Sequence, residues 1–80
     1  MKVRITFSCI GLSIKETEGK DGKKFHQISI DQEGEAGSLP ITEDCYKSLV
    51  TTFKKYSPCS ITAEYNDQYK YLRVIAVNQR

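Results

Sequence analysis

The first fourteen residues constrain the fold most. Val3, Ile5, Phe7 and Cys9 alternate with Lys2, Arg4, Thr6 and Ser8. A period of two with β-branched and aromatic residues marks a strand with one face buried. Past Cys9 the apolar phase slips to Ile10, Leu12 and Ile14, and the slip falls beside Gly11. A glycine at a phase change predicts a bulge or sharp bend, so that one long strand serves two sides of a curved sheet. The chain has only 80 residues, which makes it a single domain over 1–80. Folding at this size buries roughly 60–70% of the unfolded surface. That leaves room for one core, and little for a deep, water-excluding cavity.

The rest of the chain continues the strand pattern. Glu18 to Lys23 reads as a turn, with Asp21-Gly22 supplying the positive φ angles of a tight hairpin. A second strand is expected from about Lys24 to Asp31. It carries His26, Ile28 and Ile30 on one face and Phe25, Gln27 and Ser29 on the other. Gln32 to Ser38 reads as a polar loop. Gly37 to Ile41 follows as a short third strand, with Pro40 favouring an edge. Thr42 is expected to cap a helix with Glu43 and Asp44 in its first turn, and Tyr46, Leu49, Val50 and Phe53 form its apolar stripe. Ser57-Pro58 ends it. Cys59 to Tyr65 alternates again, Asn66 to Gln68 turns, and a last strand spans Tyr69 to Val77 with apolar residues on both faces.

The expected order is therefore three strands, a helix and two strands. Closing five strands on themselves buries one face and removes edges. A helix between the third and fourth strands is the order of the OB-fold. The expected class is mainly β, a five-stranded OB-fold-like barrel with one helix between strands 3 and 4. An open five-stranded sheet with the helix on one face has the same elements and differs only in strand pairing.

Net charge is +2, but it is unevenly spread. Between Phe25 and Tyr46 there is no Lys or Arg, while Asp31, Glu33, Glu35, Glu43 and Asp44 are half of the ten acids. The remaining segments carry all twelve basic residues against five acids, a balance of +7. Such a field attracts a polyanion despite the small total. No apolar run approaches the ~20 residues of a membrane span, and Met1 to Ile10 lacks the apolar block of an export signal. Cys9, Cys45 and Cys59 fit no metal-binding spacing, and an odd number of thiols suits a reducing, cytoplasmic setting. No phosphate loop, zinc-protease helix or hydrolase elbow occurs. No metal, cofactor or catalytic activity is expected. His26 lies on an apolar face and reads as a buried, hydrogen-bonded residue, and Glu64 and Asp67 form at most an isolated carboxylate pair.

Single-stranded nucleic acid needs cations along its phosphates and flat rings against its bases. Five tyrosines and three phenylalanines are available. Phe25, opposite Ile28 and Ile30 and beside Lys23 and Lys24, is placed outward among cations. Tyr69, Tyr71 and Arg73 share one face of the last strand, and Lys2 and Arg4 share one face of the first. Arg can pair with phosphate and also lie flat on a base. The candidate nucleic-acid-binding set is Lys2, Arg4, Lys23, Lys24, Phe25, Tyr69, Tyr71 and Arg73, with Tyr56 as an auxiliary. The competing reading makes the tyrosines core and the cations solubilising.

The chain resembles the small single-stranded-DNA-binding proteins of phages, of the filamentous-phage gene V type. The resemblance rests on Lys2-Val3-Arg4-Ile5, Gly22-Lys23-Lys24-Phe25, Leu39-Pro40-Ile41-Thr42, Tyr56-Ser57-Pro58 and Tyr71-Leu72-Arg73-Val74. The helix after Thr42 departs from that pattern and is closer to the general OB-fold. The resemblance implies sequence-tolerant binding of single-stranded DNA, or RNA, in replication or recombination of a phage or mobile element, by a cytoplasmic homodimer. The alternative expectation is a protein-binding adaptor or inhibitor whose acidic segment imitates nucleic acid.

Overall fold

The computed structural model describes residues 1–79. Five antiparallel strands form one sheet in the order β3-β2-β1-β4-β5: β1 (Lys2–Glu18), β2 (Lys24–Gln32), β3 (Glu35–Pro40), β4 (Ser57–Asn66) and β5 (Tyr71–Gln79). One helix, α1 (Glu43–Leu49), connects β3 to β4. The fold is mainly β.

β1 is one strand with two partners. Its first half, Lys2 to Gly11, pairs with β4, and its second half, Ile10 to Glu18, pairs with β2. The ladder to β2 skips a residue between Gly11 and Ser13, which places the bulge at the expected phase change. The space at Gly11 is tight: a Cβ on it would come within 3.1 Å of the Phe53 ring, which would have to give by a few tenths of an ångström. Among the described residues, β1 and β5 share no ladder. The approach of the outer strands is instead between β3 and β5, where Ile41 and Val74 form a single parallel bridge. Around it, the Ile41 N–H donates to the His26 carbonyl (3.0 Å) and the Thr42 N–H to the Val74 carbonyl (3.1 Å).

Several boundaries differ from the sequence expectations, each for a local reason. The segment read as a polar loop from Gln32 to Ser38 is a two-residue hairpin, Glu33-Gly34, with φ of 54° and 86°. β3 therefore begins at Glu35; its exposed, polar first half conceals it in the sequence. α1 ends at Leu49, not Phe53. The β-branched run Val50-Thr51-Thr52 is poor helix material. The Phe53 N–H closes back on the Leu49 carbonyl, so the Phe53 ring reaches Gly11 from a turn. Val50 points out and is 53% exposed. Thr42 caps α1 as expected, its Oγ1 accepting from the Cys45 N–H at 3.2 Å. β4 starts at Ser57, with Pro58 near its first residue. The β4–β5 turn takes in Asp67 to Lys70, so Tyr69 is a turn residue and not part of the last strand.

The core comprises Cys9, Ile28, Ile30, Ile41, Cys45, Leu49, Cys59, Ile61, Ala63 and Val74, with Phe7, Ile14, Leu39, Tyr46, Phe53, Leu72 and Val77 packed against it. β5 turns Leu72 and Val74 inward. A bulge at Ile75, between the Ala63–Val74 and Thr62–Ala76 pairs, then returns Val77 to the inner side. That bulge explains why both faces of β5 carry apolar residues.

Candidate nucleic-acid interface

With Leu72 and Val74 inward, Tyr71 and Arg73 face out. Strand register sets their neighbours. Arg4 on β1 stands opposite Glu64 on β4, and Glu64 stands opposite Arg73 on β5. The next row is Lys2, Asn66 and Tyr71. Glu64 is the centre of a cationic cluster: its carboxylate lies 3.9 Å from Lys2 Nζ, 3.6 Å from Arg4 Nε and 3.6 Å from Arg73 Nη2. The Glu64 side chain is 12% exposed, while those of Arg4 and Arg73 are 71% and 45% exposed. The cations thus keep water-facing donors outside the acid that gathers them.

Beyond Tyr71 the surface crosses the Pro40–Ile41 seam onto β2. Phe25 and Tyr71, with Lys24, Gln27, Pro40 and Glu43 among its other walls, line a shallow depression of about 290 Å³. Phe25 is 56% and Tyr71 49% exposed. Half-exposed rings over a firm backbone suit stacking, since one face stays free. The Phe25 ring lies over Gly19, where a Cβ would come within 3.0 Å of it. Lys24 reaches Glu16 (3.8 Å) and Lys23 reaches Asp21 (3.8 Å).

The structure therefore brings Lys2, Arg4 and Arg73 to one cluster, and Lys24, Phe25 and Tyr71 to the adjoining depression. Lys23 sits at the β1–β2 turn. Tyr69 is 72% exposed in the β4–β5 turn and does not share a strand face with Tyr71 and Arg73. Glu64 is the member that sequence reasoning missed. Its role depends on the β1–β4–β5 register, and the alternation of Lys2 and Arg4 signals a cationic face without showing what holds it. Glu64 and Asp67 do not pair: Asp67 accepts from the Met1 amino group at 2.6 Å.

His26 and the thiols of Cys9 and Cys59 are engaged internally. His26 is buried, with Nε2 2.9 Å from Glu16 Oε2 and its ring 4.4 Å from that of Tyr46. The hydrogen bond to His26 is the main cause holding the Glu16 carboxyl below its ordinary value. Cys9 and Cys59 face each other across β1 and β4, with Sγ atoms 3.4 Å apart. Burial, then the hydrogen bond to Cys59, pushes the Cys9 thiol from 9.0 up to about 12. A raised value means that the folded state favours the neutral thiol. Its stabilising contribution is complete below pH 9.0 and is lost as pH rises toward 12. Cys9→Ala should flatten the stability–pH curve in that window, measured as urea midpoints; an unchanged slope would exclude this thiol as a source of alkaline sensitivity.

Among the described residues, no three His, Cys, Asp or Glu side chains gather as a metal site, and no helix is long and apolar enough to cross a membrane. No family model matches the chain, and no curated protein matches it.

Proposed function

We propose that this protein binds single-stranded nucleic acid with little sequence preference, using the outer face of β5 and its continuation onto β2. The observation that carries the reading is the exposed pair Phe25 and Tyr71, lining one depression beside the Lys2–Arg4–Arg73 cluster. Phosphates would take the cations, releasing counterions, and bases would stack on the rings. Stacking reads no base edges, so discrimination among sequences is slight. The fold reading that goes with it is the OB type. The strand order β3-β2-β1-β4-β5 and the parallel Ile41–Val74 bridge support it. The resemblance to phage proteins supports DNA, a cytoplasmic setting, and work in replication or recombination of a phage or mobile element.

The test is a salt titration against a labelled homopolymer of about thirty nucleotides, long enough for several OB-sized sites. Affinity should fall steeply with salt, and duplex of equal length should bind much more weakly. Absence of binding at low salt would sink the proposal. Arg73→Ala should reduce the salt slope by about 0.7, one phosphate's worth for a single strand; an unchanged slope removes Arg73 from the interface. The acid-only segment around β3 favours a second reading, a protein-binding adaptor. That reading predicts no salt-sensitive affinity for the homopolymer.

A further inference from the structure

Cys9 and Cys59 take no part in the interface, yet the fold sets them against each other. They are direct partners in the β1–β4 ladder although 50 positions separate them in the chain. Directly opposed residues of an antiparallel pair have Cα atoms about 4.5–5.5 Å apart. A disulfide spans Cα separations of roughly 4.4–6.8 Å, so no strand has to slide for these two to join. Their Sγ atoms already stand 3.4 Å apart. Turning the two side chains would bring them to the bond length of about 2.05 Å. The pair is not sealed in the centre of the core. Both residues line a surface depression of about 310 Å³, together with Ser8, Pro58, Ser60 and Asn78. The third thiol, Cys45, is buried on α1.

We propose that Cys9 and Cys59 are an oxidation site that closes to a reversible disulfide, with a small-molecule disulfide of the glutathione class as co-substrate. One protein thiol loses its proton to water, and its thiolate attacks a sulfur of the small disulfide. That S–S bond breaks, a mixed disulfide forms, and one small thiolate leaves and takes up a proton. The second protein thiol is deprotonated in turn. Its thiolate attacks the protein sulfur of the mixed disulfide, forming the Cys9–Cys59 bond and releasing the second small thiolate, which is protonated likewise. Two protein thiols are thereby oxidised and one small disulfide is reduced to two thiols. Burial, which favours the neutral Cys9 thiol, slows the attack, so the equilibrium is the quantity to read. In a reducing setting the pair stays open, and a shift in thiol poise closes it. The bond staples β1 to β4 in the ladder that also sets Arg4 opposite Glu64. It confines the unfolded chain over a long loop while asking little of the folded one, so oxidation raises stability. The proposal does not depend on what the outer face binds.

The test equilibrates the intact chain with mixtures of reduced and oxidised glutathione, without denaturant. The samples are quenched in acid, unfolded, labelled with N-ethylmaleimide and weighed. The expected product is lighter by two hydrogens and takes one label where the reduced chain, with its three free thiols, takes three. Peptide mapping should join the Cys9 and Cys59 peptides and find the label on Cys45, and dithiothreitol should reverse the change. The equilibrium constant for oxidation should be at least about tenfold larger in the folded chain than in concentrated urea. By linkage the folding constant rises by the same factor, seen as a higher urea midpoint of the oxidised chain. Cys45→Ala should leave all of this intact; if that variant fails to fold, the peptide map of the parent chain decides alone. Three labels at every glutathione ratio overturn the proposal. So does a glutathione adduct that never resolves, a bond that involves Cys45, or an oxidised chain no more stable to urea than the reduced one.

Discussion

Replacing Phe25 and Tyr71 together with alanine should abolish most binding to single strands while leaving the domain folded. Each ring lost from a base stack costs roughly 1–3 kcal/mol. Both rings line the same depression, so their losses need not add, and double-mutant coupling between such neighbours is common. The pair together should weaken the dissociation constant by at least about a hundredfold, since ~2.7 kcal/mol is two factors of ten. Fluorescence anisotropy against the homopolymer reads the loss, and circular dichroism checks the fold. The fold should survive because both rings are about half exposed. Two outcomes would count against the interface. Affinity within twofold of the parent would remove the rings from it. An unfolded double variant would make Phe25 a structural cover for the Gly19 turn.

The largest effect on stability is expected at Ile61. It is fully buried on β4, between Phe7 of β1 and Val77 of β5 in the ladder. Ile61→Ala removes three carbons from the centre of a core with little slack and should cost ~2–5 kcal/mol. A domain of this size holds only about 5–15 kcal/mol in total, so the variant is expected at or near the edge of unfolding. Val50→Ala is the informative contrast. As a member of a helical stripe Val50 would matter; at 53% exposure it should change urea stability by less than about 0.5 kcal/mol. A large loss at Val50 with a small one at Ile61 would contradict the described packing.

Those two substitutions mark where sequence reasoning succeeds and where it stops. Alternation identifies β1, β2 and β4 because their buried faces are apolar and their open faces polar. Phe25 can be placed outward for the same reason: it sits opposite Ile28 and Ile30 on a strand with one wet face. The stripe Tyr46, Leu49, Val50, Phe53 overextends the helix because Phe53 is apolar for another purpose, covering Gly11 from a turn. β5 is ambiguous by sequence because the bulge at Ile75 switches phase within an apolar run. The start of β3 is hidden because an exposed edge strand needs no apolar face, and Glu33-Gly34 is a less obvious hairpin signal than Asn-Gly. Tyr69 is drawn into the last strand by its spacing from Tyr71, although the left-handed backbone at Lys70 (φ 54°) separates them. Glu64 stays invisible because nothing within one strand reveals what stands across two others.

Glu64 also changes what binding would mean physically. Three cations drawn to one carboxylate already have an anion of their own. In the proposed reading, a phosphate arriving at Lys2, Arg4 or Arg73 meets their open, water-facing donors but shares their charge with the carboxylate behind them. Part of its attraction is spent against the resident carboxylate. In that proposed reading, what remains is a looser hold on each phosphate.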